Sequence, residues 1–422
     1  MLHLVFITHG STGDTVPMIR LAEEAVSRGH RSTLLTGAFW RETTQRRGIR
    51  FVATPPHGER AEQADFMRRF SGIRNKRRLL EEMFSQVDSW QDEILPLLDS
   101  ALESADALVS SYLFPFYHRL AEGKGLPTVS VHFCPNTYFS PEHPPADLPT
   151  LPRFFPRSLR LGWNRGLTSL ADRYLVGRLN KRLSRSEQHL ASWLRSPAGY
   201  NLILAPASLF RGSDTSLPCS NVFTGFLAGG FSAHETPPAP DEATFDGGPL
   251  LTFGSVTTPG MEKEFEDLYR HWPGDRRLTI QKGWFRPPPP PSGRGIRIIG
   301  PAPHRELFAR ASVLIHHGGA GTTTSALLAG KPQILIPHFA DQDFWAQTVG
   351  RLGCGRRLPF RGWGRRLARV LERVENDRSV ADRARAVGDE QAKESGARNG
   401  LAAIERWLGS GRESRAAAPA KV

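Results

Sequence analysis

Cysteine is scarce and badly placed for any framework: Cys134, Cys219 and Cys354 are the only three. They are far apart, odd in number and contain no C-x-x-C pair, which argues against a disulfide scaffold and against a thiolate zinc site. The pattern fits a reducing, cytoplasmic setting. No apolar run approaches the ~20 residues that a membrane-spanning helix needs. The opening run, residues 2–8, lacks a basic start and a small-residue cleavage site, so it reads as a first strand and not as a leader. No internal repeat of fixed short period is present. Acidic residues are in deficit, 42 against 55 Lys and Arg, leaving a net charge of +13. A basic balance suits an anionic ligand or surface. The arginines are scattered and no nucleic-acid-binding module is present, so no nucleic-acid partner is expected.

What is present is ordinary globular composition, 39% hydrophobic and 23% charged, over 422 residues. That length exceeds one ordinary core and suits two domains. The chain opens on a strand–helix alternation, with strands expected at 2–8, 32–36, 51–53, 107–110 and 128–131 and a helix at 16–28. Strands at 201–206 and 222–226 close this half. A second series follows at 249–254, 278–282, 296–299, 313–316 and 333–337. Strands alternating with helices predict α/β domains with parallel, doubly wound sheets. The expected boundaries are 1–231 for the first domain, 232–248 for a proline-rich acidic linker, 249–408 for the second domain and 409–422 for a disordered tail. Two irregular stretches, 59–96 and 135–156, read as the variable walls of a cleft. The run 287–291 reads as an exposed polyproline loop.

Three segments carry chemistry. The first is His316-His317-Gly318-Gly319-Ala320-Gly321-Thr322-Thr323-Thr324, between an apolar strand and a helical run. Glycines let backbone N–H groups approach a ligand, and the helix N-terminus supplies partial positive charge. Threonine hydroxyls and the His317 imidazole add donors, so the segment suits a diphosphate. A glycine-rich turn that only packs a helix on a sheet is the plain structural reading. The second is Pro337-His338-Phe339-Ala340-Asp341-Gln342-Asp343. Asp341 and Gln342 stand at the carboxyl end of a strand, where open α/β sheets bind ligands, and together offer acceptors and donors to sugar hydroxyls. A helix N-cap at Asp341 is compatible with that role. The segment also matches a D-x-D metal–diphosphate pattern, but the upstream cradle holds no carboxylate. The third is His9-Gly10-Ser11-Thr12-Gly13-Asp14-Thr15-Val16-Pro17, a strand-to-helix turn without the full G-x-G-x-x-G spacing. A nicotinamide or flavin cofactor is therefore disfavoured. Asp14 reads either as a capping carboxylate or as a base facing a cleft.

Together these residues resemble the GT-B glycosyltransferases, in the group that includes plant UDP-glycosyltransferases, sterol and glycopeptide-antibiotic glycosyltransferases and the rhamnolipid rhamnosyltransferase. The resemblance spans nearly the whole chain and is strongest over 296–355. It implies two Rossmann-like domains facing each other across a cleft. It implies that His317, Gly319, Ala320, Gly321 and Thr322 bind the donor diphosphate, and Asp341 and Gln342 its sugar. Gly254 and Ser255 resemble the turn that starts the nucleotide domain, and Ala302 and His304 the stretch along the nucleoside. Gly13-Asp14-x-x-Pro17 matches the sterol and glycopeptide branch. Plant members carry histidine at the position of Asp14, which leaves His9 and His132 as alternative bases. Many members carry glutamate at the position of Ser325 to hold a ribose, and its absence is compatible with a dTDP-sugar.

The implied reaction is an inverting O-glycosyl transfer from a UDP- or dTDP-sugar (hexose or deoxysugar) to a hydrophobic small-molecule hydroxyl. Asp14 acts as base, with no metal and no cofactor beyond the co-substrate. Thr12, Phe66, Phe84, Phe114 and Phe139 are the candidate acceptor contacts, although buried aromatics more often serve a core. The expected oligomeric state is a monomer or homodimer. The rival readings are a membrane-peripheral lipid or sterol glycosyltransferase, suggested by basic aromatic stretches at 66–78 and 151–163, a GT-B sugar-nucleotide epimerase, and a non-catalytic helper of the same fold.

Overall fold

The computed structural model describes residues 1–57, 73, 76–134, 149, 151–152, 154–183, 185, 189–192, 199–210, 220–227, 245, 247–300, 302–339 and 341–416. In the first half the strands are β1 (His3–Ile7), β2 (Arg31–Gly37), β3 (Arg50–Thr54), β4 (Ala107–Ser111), β5 (Thr128–His132), β6 (Tyr200–Ile203) and β7 (Ser220–Phe223). Its helices are α1 (Thr12–Ser27), α2 (Arg41–Gln45), α3 (Lys76–Asp88), α4 (Gln91–Leu102), α5 (Pro115–Gly123) and α6 (Arg157–Asn180). In the second half the strands are β8 (Gly248–Thr252), β9 (Leu278–Gln281), β10 (Ile296–Ile299), β11 (Ala311–His316), β12 (Gln333–Leu335) and β13 (Gly355–Arg357). The helices here are α7 (Met261–His271), α8 (His304–Arg310), α9 (Ala320–Leu328), α10 (Gln342–Arg351), α11 (Trp363–Glu375), α12 (Arg378–Gln391) and α13 (Gly396–Ala416).

Among the described residues these strands form two sheets, seven-stranded in the order β3-β2-β1-β4-β5-β6-β7 and six-stranded in the order β10-β9-β8-β11-β12-β13. All pairings are parallel. The central strands β1, β4 and β5 are buried along their whole length, as a sheet covered by helices on both faces requires. In each sheet the strand order reverses once, between β1 and β4 in the first and between β8 and β11 in the second. The α/β class, with two doubly wound domains, therefore stands as expected.

Two features differ from the expected boundaries. Of the linker at 232–248, residues 232–244 and 246 lie outside the described residues, Phe245 is buried in the second domain's core and Gly248 begins β8. Helix α13 continues through 409 to Ala416 where a disordered tail was expected, and it returns to the first domain. Its Leu401, Ala403, Ile404 and Leu408 join the core made by α1, β1 and β5, and Trp407 stacks on Tyr200 with centroids 5.0 Å apart. Glu405 holds the helix by accepting from Arg28 and pairing with His30, both at 2.8 Å. The small, polar residues after 408 concealed that the preceding apolar spacing belongs to an amphipathic helix. A further core joins the two sheets: Cys134, Ile203 and Phe226 pack with Leu327, Trp345, Val349 and Ala384. The loop at 287–291 is not free, because Tyr269 donates its hydroxyl to the Pro288 carbonyl at 2.6 Å.

The crossing helix is a structural clamp, so Ile404→Ala, at a site with no solvent exposure, is expected to lower unfolding free energy by about 2–5 kcal/mol. Urea unfolding checks this; a change inside measurement error would mean that α13 contributes little to the first domain.

Candidate active site

Ligands of open α/β sheets bind outside the strand ends where the strand order reverses. In the first domain that point is flanked by the turn after β1 and by the end of β4. Ser11 caps α1, and Asp14 completes a capping box: its Oδ2 accepts from Ser11 N–H at 2.7 Å and from the Ser11 hydroxyl at 2.9 Å. Gly10 lies at φ +126°, and a Cβ there would strike the Asp14 carboxylate. The turn needs glycine because the carboxylate folds over it. Burial pushes the half-buried Asp14 up to about 6, against the opposing effect of the Ser11 bonds. At the end of β4, Tyr112 stacks on His132 with centroids 5.2 Å apart.

In the second domain the reversal is flanked by Gly254-Ser255 after β8 and by the glycine-rich segment after β11. Gly254 O accepts from Trp284 N–H at 2.8 Å. The paired histidines part company here, their rings nearly perpendicular at 89°. His316 turns into the fold: its ring pairs with Gln333 Oε1 at 3.0 Å and its Nδ1 accepts from Gly318 N–H at 3.1 Å. It therefore shapes the loop. His317 is 7% exposed, and its Nδ1 has no hydrogen-bond partner among the described residues. A Cβ on Gly319 would collide with His317 Nε2. Burial first, then His316, His338 and His304, hold the His317 ring well below the usual histidine range, so it stands neutral. Gly319 caps α9 without a side chain, leaving no side-chain cap over the first-turn amides of Ala320, Gly321 and Thr322. Thr322, Thr323 and Thr324 are all buried, and Thr323 Oγ1 has no partner among the described residues.

Asp341 precedes α10 and its Oδ2 accepts from Trp345 Nε1 at 3.2 Å. Its carboxyl is pushed up to about 7, by burial first and then by the charge of Asp14. The phenol of Tyr112 is pushed up by burial, then by Asp341 and Asp14. Three side chains from the two domains thus stand within electrostatic reach of one another. Gln342 is more inward-facing than a ligand-binding amide need be: its Oε1 accepts from His338 N–H at 2.7 Å and Phe339 N–H at 3.2 Å. Asp343 is committed to Arg357 at 2.6 Å and Gln347 at 2.8 Å, outside any D-x-D arrangement. Ala302 O accepts from Gln281 Nε2 at 2.9 Å, and half-buried His304 stacks on Phe308 at 4.4 Å.

Other expected residues fall elsewhere. His9 is packed among Trp90, Phe114 and Tyr117, with Nε2 2.9 Å from the Tyr117 hydroxyl. His132 is fully buried beside Ser130 Oγ at 3.2 Å. Burial depresses His9 to about 4 and His132 to about 3. Phe114 is 3% exposed within the core under β1 and β4, so it is a core residue and not an open wall. Thr12 is half-buried in the first turn of α1. Phe66 and Phe139 lie outside the described residues, as does the side chain of Phe84. Sequence reasoning missed Tyr112, which a strand-end position beside a switch point would have flagged. It also missed His338, whose Nδ1 lies 2.9 Å from Thr258 Oγ1 and which sits just before Asp341.

The comparisons with known proteins agree with this geometry. Residues 290–399 match the family model described as erythromycin biosynthesis protein CIII-like, C-terminal domain. The chain is 28% identical to O-mycaminosyltylonolide 6-deoxyallosyltransferase of Streptomyces fradiae, over 96% of this chain and 97% of that one. It is 28% identical to vancomycin aglycone glucosyltransferase of Amycolatopsis orientalis, over 84% and 85%. A sterol 3-beta-glucosyltransferase of Gibberella zeae is 25% identical over 96% of this chain but only 29% of its own length. Among solved structures, the glycosyltransferase of kitacinnamycin superposes with a TM-score of 0.66 at 20% identity, covering 96% of this chain and 99% of that one. The Streptomyces sp. SF2575 glycosyltransferase SsfS6, in complex with thymidine diphosphate, gives 0.63 at 18% identity, over 96% and 100%. Residues 290–399 are thus similar to the erythromycin CIII-like C-terminal domain, and the chain is a glycosyltransferase with the GT-B fold.

Proposed function

We propose that the protein is an inverting O-glycosyltransferase that moves a sugar from a dTDP- or UDP-sugar to a hydroxyl of a hydrophobic natural product. The observation that carries this reading is that Ala320, in the glycine-rich segment of the second domain, packs on the first domain's core beside α1; the charge of Asp14 also helps to push Asp341 up. One crevice offers a carboxylate and the other a cradle of buried donors. His317 and the amides of Gly319, Ala320, Gly321 and Thr322 bind the diphosphate, with Gly254, Ser255, Ala302 and His304 along the nucleoside. Asp341 holds the sugar, and Gln342 braces the loop that presents it. Asp14 takes the acceptor proton as the oxygen attacks the anomeric carbon and the bond to the diphosphate breaks. The negative charge left on the diphosphate is stabilised by the cradle. Macrolide and glycopeptide relatives, together with thymidine diphosphate in a structural neighbour, support the acceptor class and a dTDP-sugar. A thermal-shift panel of dTDP- and UDP-sugars tests the donor: a melting-temperature rise with none of them would overturn the assignment.

Two further outcomes follow. The cradle at 317–322 contains no carboxylate ligand, so turnover is expected to persist in EDTA; metal-reversible loss of all activity would contradict it. Asp14 is pushed up to about 6, and the base form is lost as pH falls through that value. The kcat/KM profile should therefore bend near there and drop about tenfold per pH unit below it. A flat profile through this range would remove Asp14 from the role. Because Asp14 and Asp341 interact, the limb reports the pair.

A further inference from the structure

Large apolar side chains that stand exposed are concentrated in one place among the described residues. Apart from Met1 they are Phe154, Leu159, Trp163, Leu170 and Tyr174, all on α6 or the segment leading into it. At about 100° per residue, positions 159, 163, 170 and 174 fall within an arc of roughly 60°. The opposite face, with Asn164, Thr168, Asp172, Val176 and Leu179, is buried on the first domain. Leu170 is 60% exposed and Phe154 81%, so the stripe is solvent-facing and not the edge of a core. The helix carries Arg157, Arg160, Arg165, Arg173 and Arg178 against one acid, Asp172. That acid is buried and accepts from Ser192 Oγ at 2.6 Å. Arg178 is paired with Glu81. Arg160 and Arg173 flank the stripe, each about 70° from its middle, and Arg173 is exposed with no ion-pair partner among the described residues. The Trp163 indole N–H already donates to the Pro149 carbonyl at 2.8 Å. Its ring therefore enters an apolar layer without stranding a donor.

We propose that this face of α6 docks on an anionic lipid surface, with the helix lying in the plane of the interface. The apolar stripe with Phe154 enters the boundary between headgroups and acyl chains, and the flanking Arg160 and Arg173 meet lipid phosphates. Charge selects this occupant over a second copy of the chain. A two-fold contact through α6 would oppose two sets of arginines in a molecule of net charge +13, with no exposed acid on the helix to meet them. The docking is independent of donor and acceptor, so it stands or falls apart from the glycosyltransferase reading.

Co-sedimentation of the full chain with vesicles tests it. Binding to phosphatidylcholine–phosphatidylglycerol vesicles is expected to exceed binding to pure phosphatidylcholine by tenfold or more and to weaken as salt is raised. Arg160→Gln with Arg173→Gln should lower partitioning roughly tenfold or more. Trp163→Ser with Leu170→Ser should remove the salt-resistant part, with the circular dichroism spectrum unchanged. Equal or absent sedimentation with both vesicle types would overturn the proposal. So would a dimer in sedimentation velocity that Trp163→Ser dissociates, since the face would then belong to a second copy. If the apolar double variant does not fold, the arginine pair and the salt dependence decide.

Discussion

Replacing Asp14 by asparagine is expected to lower turnover by roughly a hundredfold or more, while the fold and donor affinity stay nearly unchanged. The geometry makes the substitution unusually clean. Both bonds from Ser11 fall on Oδ2, so the amide oxygen of asparagine can keep the cap of α1. The amide nitrogen then stands where Oδ1 would receive the acceptor proton. A donor replaces an acceptor with almost no change of shape. Removing the charge also relieves Asp341, whose raised value owes part of its shift to Asp14. Its pKa should fall, and stability at neutral pH should hold or rise slightly. A capping role alone predicts the opposite pattern, a modest loss of stability with near-normal turnover. Turnover, melting temperature and donor affinity measured together on this variant separate the two. If turnover survives, His9 and His132 are the next candidates, although both are buried and bonded within the first domain.

The second large effect belongs to His317→Ala, expected to cost roughly a hundredfold or more in turnover, as removal of a transition-state donor does. His317 Nδ1 is buried without a partner among the described residues, and such an atom costs stability unless a ligand satisfies it. The neighbouring His316 is the internal control. Its ring is saturated by Gln333 and by the Gly318 N–H, so its loss should lower stability and loop order first. For His317, kcat and kcat/KM should fall together, because the charge it meets grows as the donor bond breaks. A rise in KM with unchanged kcat would reassign it to ground-state binding. Wild-type activity would remove it from the site.

Much of this was legible before folding, because it depends on near neighbours in the chain. Apolar runs alternating with helical spacing fix the α/β class. Glycines followed by threonines at a helix start mark the cradle, and Ser11 with Asp14 spells a capping box over a single turn. Local patterns of this kind also made Asp341 a candidate, at the end of a strand. Other residues depend on partners distant in sequence. The two adjacent histidines read alike, yet successive side chains at a strand end point to opposite sides, and Gln333 on the next strand claims only His316. Phe114 resembles a pocket aromatic until the packing of α4 and α5 buries it. Helix α13 follows the second domain in the chain, but its apolar face is completed by the core of the first. The sequence by itself determined the elements, the loops and the kinds of donor and acceptor they carry. The tertiary structure alone decided that Asp14, Tyr112 and Asp341 come within electrostatic reach of one another, because burial and charge coupling are properties of packed surfaces and not of neighbouring residues.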